Sequence, residues 1–172
     1  RLVGSEMCIR DSRYPGADGQ LGAADVSNVT EQNPFGINPQ DPYGQDDVVV
    51  NDPNMRLAIN QPVQALLRSH DVLHNYTVPQ FRVKMDLVPG MVSYLWFDPT
   101  REGTYDLLCE ELCGIGHYIM RGSVTVQSQE DYDAWIAAQP TFAETQNIPE
   151  PDLAAGQAAY AICAACHGAQ GE

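Results

Sequence analysis

A series of short segments in which apolar and polar residues alternate constrains the fold of this chain more than any other feature. These segments are bounded by Gly, Pro, Asn or Asp residues and lie at 47–50, 55–60, 62–69, 81–89, 91–97, 104–109 and 121–127. Alternation with period two places every second side chain on one face of a β-strand. No helical segments separate these strands, so we predict an all-β fold, an antiparallel sandwich or Greek-key barrel. We expect the loop at 98–103 to close a hairpin.

Beyond residue 127 the pattern changes from strand to helix. The segment 128–139, SQEDYDAWIAAQ, has Ser128 in an N-cap position, acidic residues in its first turn and an apolar face. The segment 140–151 contains three prolines and no periodicity, which predicts a linker. A second helix is expected to begin at Asp152.

Length and charge limit what the chain can do. With 172 residues it can form one globular domain and part of another. Its net charge of −14 argues against a nucleic-acid partner, because an acidic surface repels phosphate, and suits a basic protein partner. No run of about 20 apolar residues occurs, the length that would span a membrane.

The first residues do not match the rest of the chain. The segment 1–12, RLVGSEMCIRDS, has no regular period and contains an unpaired Cys8. It resembles translated sequencing-adapter read-through, and we predict that it is a non-native tail. We expect the sequence to be a fragment at both ends.

The segment 109–120, CEELCGIGHYIM, concentrates metal-binding side chains at the spacing Cys-x3-Cys-x3-His-x2-Met. Thiolate, imidazole and thioether groups are the ligands that copper selects. One Cys, the His and the Met, with a second His from upstream, would make a mononuclear blue-copper site. The second Cys suggests two copper ions bridged by two thiolates. The segment therefore predicts an electron-transfer centre.

Three other interpretations of this segment compete with copper. Cys109 and Cys113 could form a disulfide, although the three residues between them make a tight loop. Two Cys and two His could hold a structural zinc, which has no use for a methionine. Met120 could be an ordinary core residue. The identity of the upstream histidine ligand is also undecided, because alternation places His70 and His74 on the same face.

Two segments, SHDVLHNYTVPQFRVKMDLVPG at 69–90 and CEELCGIGHYIMRG at 109–122, together resemble the copper-A domain of cytochrome c oxidase subunit II. The resemblance implies a cupredoxin-like Greek-key barrel over 13–139 and favours His74 over His70. It implies that the side chains binding the two copper ions are those of His74, Cys109, Cys113, His117 and Met120. It further implies that Glu111 supplies a backbone carbonyl to one copper, and that its carboxylate reaches a magnesium ion at the contact with subunit I.

The resemblance also implies a function. Such a domain receives electrons from cytochrome c and passes them, through the His117 side of the centre, to haem in subunit I, where the enzyme complex reduces oxygen. It implies a bacterial inner-membrane complex with this domain on the periplasmic face, anchored by a transmembrane hairpin missing from this sequence. The family's electron-accepting aromatic stretch would precede Arg13, so we assign none of its residues.

A second motif lies near the end of the chain. Cys163, Cys166 and His167 form a CxxCH pattern, which attaches haem c through two thioethers and an axial imidazole. The pattern also occurs in thiol redox proteins. It resembles the opening of a class I cytochrome c, so we predict that 152–172 begins a truncated, fused cytochrome c domain.

Two other functions remain as alternatives. The first is the copper-A domain of a nitrous-oxide reductase, a family that typically has an aromatic residue where Glu111 stands and no trailing CxxCH. The second is a binding module without redox activity, held together by zinc or by a disulfide.

Overall fold

The computed structural model describes residues 2–6 and 11–146, and for residues 2–6 it describes only the backbone. This part of the chain contains ten β-strands: β1 (Leu2–Glu6), β2 (Asp11–Tyr14), β3 (Val48–Asn51), β4 (Asn54–Ala58), β5 (Val63–Arg68), β6 (His74–Val78), β7 (Val83–Leu87), β8 (Ser93–Phe97), β9 (Gly103–Leu108) and β10 (Arg121–Gln127). It also contains two helices, α1 (Gln129–Ala137) and α2 (Phe142–Gln146). Neither described helix is long and apolar enough to cross a membrane.

The strands form two five-stranded sheets. Their orders are β3-β2-β1-β5-β8 in the first sheet and β4-β10-β9-β6-β7 in the second. Most neighbours are antiparallel, as the sequence predicts, but β1 pairs with β5 and β4 pairs with β10 in parallel. The purely antiparallel expectation is therefore wrong at these two pairs. Parallel pairing needs a long crossover between the strands, which a local alternation pattern does not reveal.

The predicted hairpin at 98–103 is also wrong. Strand β8 pairs with β5 in the first sheet, whereas β9 pairs with β10 and β6 in the second. The loop between them therefore connects the two sheets. Leu95 on β8 and Leu107 on β9 are both buried in the core, so each strand turns its apolar side towards the other sheet.

The core lies between the two sheets and confirms the predicted alternation. It includes nine buried side chains from both sheets: Met55, Leu57, Ala65, Leu67, Tyr76, Leu95, Leu107, Val124 and Val126. Complete burial of a Val, Leu or Met side chain contributes about 1.5–3 kcal/mol relative to its exposed state. The sandwich can therefore hold its strand ends in fixed positions.

Helix α1 confirms the helix predicted at 128–139. The Ser128 hydroxyl accepts a hydrogen bond from the Asp131 N–H at 3.1 Å, which caps the helix. Tyr132 is buried, and the Trp135 ring packs edge-on against the Tyr14 ring, with their centroids 5.2 Å apart. The apolar face of the helix thus covers one side of the sandwich.

Helix α2 lies inside the segment that we predicted to be a linker. The Thr141 N–H donates to the Glu144 carboxylate at 2.8 Å, and the Glu144 N–H donates to the Thr141 hydroxyl at 3.3 Å, a reciprocal capping box. Phe142 is 2% exposed and packs with Phe35 and Ile37. The beginning of the segment is therefore part of the domain, while residues 147–151 lie outside the described residues.

The long connection 15–47, which we call the polar connection, is fixed by buried polar side chains. Buried Arg13 donates from Nε to Asp47 Oδ2 at 3.0 Å and from Nη2 to the Gly22 carbonyl at 2.6 Å. The Gly22 N–H donates to the same Asp47 oxygen at 3.0 Å. Asn33 donates to the Ile37 carbonyl and accepts from the Ile37 N–H, both at 2.9 Å. A segment rich in turn residues thus has a defined course.

Strand β1 lies within the segment predicted to be a non-native tail. Its backbone pairs with β2 on one side and with β5 on the other. This pairing does not test whether the segment is native, so the assignment of 1–12 remains a prediction.

Candidate metal centre

The segment 109–120, which we call the sulfur loop, connects β9 to β10 at one end of the second sheet. Leu108 and Arg121 are paired across these strands, and the Cys109 N–H donates to the Met120 carbonyl at 3.4 Å. Gly114 has a φ of +128°, a backbone conformation that favours glycine. A turn of 3-10 helix at His117–Ile119 then returns the chain towards β10. The loop therefore closes on itself at its base.

Four of the predicted ligand side chains meet inside this loop. The Cys113 sulfur lies 3.7 Å from the Cys109 sulfur, 3.5 Å from His117 Nδ1 and 3.0 Å from the Met120 sulfur. Cys109 is buried, and both cysteines are free thiols. Cys113 is therefore the centre of the group, because it contacts the other three side chains.

His74 joins this group from outside the loop. Its ring is fully buried, and the candidate ligand atoms of His74, Cys109 and Cys113 all lie within 4.8 Å of one another. Strand β6 lies beside β9, with Thr77 opposite Leu108, so His74 lies beyond the end of β9 and level with the sulfur loop. His74 is the first residue of β6.

His70 lies elsewhere. One nitrogen of its ring is 3.1 Å from the Pro34 carbonyl oxygen, on the polar connection. The structure therefore brings His74 to the sulfur loop, whereas His70 contacts another part of the domain.

The Glu111 carbonyl faces the sulfur atoms. The Cys109 thiol donates to this oxygen at 3.3 Å. The side chain of Glu111 is half-buried. The backbone oxygen that the resemblance assigns to copper therefore lies beside the thiols.

The surroundings of the Cys113 thiol disfavour its ionisation. Burial, together with the neighbouring Cys109, raises the pKa of Cys113 to about 11. The metal-free thiol is therefore protonated at neutral pH. Binding of a metal ion as thiolate would release this proton.

The structure adds a contact that sequence reasoning missed. His74 Nε2 lies 2.8 Å from Asp71 Oδ1, and Asp71 is mostly exposed. Burial opposes ionisation of Asp71, but hydrogen bonds from His74 and the Val72 N–H outweigh it and lower its pKa. The sequence did contain a signal for this contact, because Asp71 lies three residues before His74. Histidines that bind metals often donate their other ring N–H to a carboxylate.

The outside of the sulfur loop is apolar. Four of its side chains, which we call the apolar rim, are each more than half exposed: Leu112, Ile115, Tyr118 and Ile119. Ile115 is 97% exposed. Sequence reasoning did not predict this surface, because an apolar residue near ligands is equally consistent with a buried position.

The second motif is not described by the structure. Cys163, Cys166 and His167 lie outside the described residues, and so do the predicted domain at 152–172 and Cys8.

Comparison with known proteins identifies similar domains. Residues 37–128 match the family described as "Cytochrome C oxidase subunit II, periplasmic domain". The chain is 56% identical over 131 residues to "Alternative cytochrome c oxidase subunit 2" of Bradyrhizobium diazoefficiens, covering 76% of this chain and 47% of that protein. It is 42% identical over 95 residues to "Cytochrome c oxidase subunit 2" of Cereibacter sphaeroides, covering 55% of this chain and 31% of that protein. The chain thus spans less than half the length of these relatives.

A solved structure has the same fold. The crystal structure of the periplasmic domain of subunit II of cytochrome oxidase (CoxB) of Bradyrhizobium japonicum superposes with a TM-score of 0.54 and 20% sequence identity. The match covers 79% of this chain and 88% of that chain. The fold is therefore the mostly-β, cupredoxin-like sandwich that the sequence analysis expected.

Proposed function

Because the chain belongs to the cytochrome c oxidase subunit II family, whose periplasmic domain it contains, we propose that its metal centre is a dinuclear copper-A site. In this proposal the domain receives electrons from cytochrome c and passes them to haem in subunit I for oxygen reduction. The observation that supports it most is the meeting of five candidate ligand side chains at one end of the sandwich: His74, Cys109, Cys113, His117 and Met120.

The chemistry of these donors fits copper. Two thiols, a thioether and two imidazoles form a soft set, and a structural zinc site would not need the thioether. The Met120 sulfur lies 3.0 Å from the Cys113 sulfur. This methionine therefore contacts a candidate ligand, which an ordinary core residue would not need to do. The Glu111 carbonyl would complete the set. When bound, two copper ions sharing two thiolates would exchange one electron with little rearrangement.

The protein contributes rigidity and exclusion of water. Cys109 and His74 are buried, and they lie at the ends of paired strands β9 and β6. The hydrogen bond from the Cys109 N–H to the Met120 carbonyl fixes the width of the loop base. Ligands held in this way change position little on reduction, and the hydrogen bonds around the sulfur atoms would set the reduction potential.

The apolar rim supports subunit I as the partner. Exposed apolar residues that cluster on one surface mark interaction sites, and Ile115 and Tyr118 lie on either side of His117 in the sequence. In the proposal this surface faces subunit I, electrons leave through His117, and the Glu111 carboxylate holds a magnesium ion at the contact. The domain would then lie on the periplasmic side of a bacterial inner membrane, anchored by a hairpin encoded upstream.

The electron donor would be a cytochrome c, fused, soluble or both. The net charge of −14 would attract a basic cytochrome. Cys163, Cys166 and His167 would attach haem c in a fused domain. The segment between α2 and this motif would then tether the donor and raise its effective concentration at the copper centre.

Reconstitution with copper tests the proposal. The full chain, metal-free and reduced, is titrated with copper, and its electron paramagnetic resonance spectrum and metal content are measured. We expect two copper ions per chain and a mixed-valence spectrum in which the unpaired electron couples to both nuclei. A colourless chain that prefers zinc, or a spectrum from a single copper nucleus, would contradict the proposal.

A further inference from the structure

We propose that a cavity at the end of the sandwich opposite the sulfur loop binds a small organic anion, one with an apolar body and a carboxylate or phosphate group. The cavity lies between the turn of 3-10 helix at Pro79–Phe81, which connects β6 to β7, and the loop 98–102, which connects β8 to β9. Its volume is about 590 Å³, which is within the range of small-molecule sites.

The directions of the strands separate this cavity from the candidate metal centre. Strand β9 runs from Gly103, beside the cavity, to Leu108, beside the sulfur loop. Its six residues span about 17 Å. The turn at 79–81 follows the last residue of β6, whereas His74 is the first residue of that strand. The proposal is therefore independent of copper.

Two arginine side chains supply the positive charge. Arg82 and Arg101 line the cavity and are exposed, and neither guanidinium group has a hydrogen-bond or ion-pair partner within the described part of the chain. A guanidinium group presents its N–H donors in a planar fork that matches the oxygen atoms of a carboxylate or a phosphate. The chain has 9 basic and 23 acidic residues, so two arginines without an acidic partner beside one cavity are unexpected.

Three half-buried aromatic rings supply the apolar side of the cavity. The Phe81 ring centroid lies 5.2 Å from that of Phe97 and 4.9 Å from that of Tyr105. All three rings also pack against the core. They form a continuous surface on which the apolar body of a ligand can pack. An inorganic anion would make no use of this surface, which is why we infer an organic one.

The backbone that carries the two arginines has a defined course. Arg82 has a φ of +57°, a left-handed conformation that residues other than glycine seldom adopt. In the loop, the Asn60 N–H donates to the Pro99 carbonyl at 2.7 Å, and the Tyr105 hydroxyl donates to the Arg101 carbonyl at 2.9 Å. Both sides of the cavity are therefore in place before a ligand binds, which reduces the entropy lost on binding.

One acidic side chain, that of Asp98, also lines the cavity. With two arginines and one aspartate, the described lining residues carry a net charge of +1, in a chain whose net charge is −14. The Asp98 carboxylate repels an anion that the arginines attract. Removing this carboxylate should therefore strengthen binding, an effect that general damage to the fold would not produce.

Binding is tested on the metal-free full chain with two probes that combine a ring with an oxyanion, phenyl phosphate and benzoate. Inorganic phosphate, which has no ring, and phenol, which is uncharged at neutral pH, are the matched controls. Nuclear magnetic resonance signals of the backbone and of the arginine Nε–H groups are followed during each titration. We expect the signals of Arg82 and Arg101 to shift with both ring-bearing anions, and to shift much less with either control. The tighter of the two probes identifies the preferred anionic group.

Variants then test the roles of the charged side chains. R82Q and R101Q should each weaken binding of the tighter probe by about tenfold, because each removes a charge-assisted contact. R82K keeps the charge but loses the fork, so its effect should be intermediate. D98N should strengthen binding by about two- to threefold, because it removes a like charge. R121Q removes an exposed arginine at the sulfur-loop end of β10 and should leave the affinity unchanged.

Three results would overturn the proposal. The first is that neither ring-bearing anion shifts the arginine signals, or that the shifts lie elsewhere in the domain. The second is an equal loss of affinity in R82Q and R121Q, which would indicate a general effect of charge. The third is weaker binding in D98N. If R82Q does not fold, R101Q decides the question, because Arg101 does not have a positive φ. Failure of copper reconstitution would leave each of these results unaffected.

Discussion

The polar connection and the sulfur loop are built in opposite ways. The polar connection turns charged and amide groups inwards, where Asp47 and Asn33 are buried and hydrogen-bonded to backbone and side-chain groups. The sulfur loop turns its two thiols and one imidazole towards one another, and leaves Leu112 and Ile115 exposed. Both contain turns and little regular structure, yet they differ in what fixes them.

Under the proposed function, this difference separates a loop that stabilises the domain from a loop that needs a metal ion and a partner protein. The buried side chains of the polar connection make hydrogen bonds to other groups of the chain, as Asp47 does to Arg13 and Asn33 to Ile37. Thiol and thioether groups are weak hydrogen-bonding groups, so contacts between Cys113 and Met120 contribute little by themselves. We infer that the sulfur loop depends on a metal ion inside and on a partner protein outside.

The largest expected effect is on metal binding. Replacing Cys113 by Ser should abolish the spectrum of a copper pair, because this sulfur contacts the other three side chains of the loop. The metal-free variant should keep its fold, measured by circular dichroism and by urea unfolding. His70→Ala is the matched control and should leave the spectrum nearly unchanged, since His70 contacts Pro34 instead. If Cys113→Ser still binds a copper pair, the proposed contrast between the polar connection and the sulfur loop is wrong.

The next largest effect is on stability and concerns the polar connection. Asp47→Ala should lower the free energy of unfolding of the metal-free chain by about 3–5 kcal/mol, because it leaves Arg13 buried without its counter-charge. Urea unfolding measures this change. Replacing both residues, in Arg13→Met with Asp47→Leu, should recover much of the loss. A small effect of Asp47→Ala would mean that water replaces the lost carboxylate.

A smaller, pH-dependent effect is expected where α2 begins. The Thr141 N–H and hydroxyl hold the pKa of Glu144 below its ordinary value of 4.5. The charged carboxylate therefore stabilises the folded state above that pH, and this contribution is lost as the pH falls through the lowered pKa. Glu144→Gln should lower the unfolding temperature slightly at pH 7. The unfolding temperatures of the wild type and of Glu144→Gln should become equal in acid. If they differ by the same amount in acid and at pH 7, the ionised carboxylate is not the cause.

The smallest effect is expected on the apolar rim. Ile115→Ser should change the free energy of unfolding by less than about 0.5 kcal/mol, because the side chain is 97% exposed. Its copper spectrum should match that of the wild type. Binding to a partner protein is the property that should weaken. A marked loss of stability in the isolated chain would show that the rim is part of the core.

The sequence predicted those features that repeat or lie close together in the chain. Alternation identified most strands, and β10 has the predicted bounds because its inward residues, Val124 and Val126, face one core. The ligand spacing in the sulfur loop identified side chains that the structure brings together. These signals are local, and each is set by one strand or one turn.

Features that depend on distant parts of the chain were not predictable. The partners Arg13 and Asp47 are 34 residues apart, and no local pattern links them. Parity could not distinguish His70 from His74, because the turn between them decides which ring reaches the sulfur atoms. The capping box that begins α2, by contrast, was visible as Thr-x-x-Glu at 141–144, but the surrounding prolines favoured a linker.

The adjacency of β9 and β10 has a consequence for the order of folding. The sulfur loop is the turn of a hairpin, since Leu108 pairs with Arg121, so its two thiols, imidazole and thioether can come together through short-range contacts alone. By contrast, β10 pairs in parallel with β4, with Val124 opposite Met55, and such distant pairing is slow. The four side chains of the sulfur loop can therefore come together before the two sheets have closed.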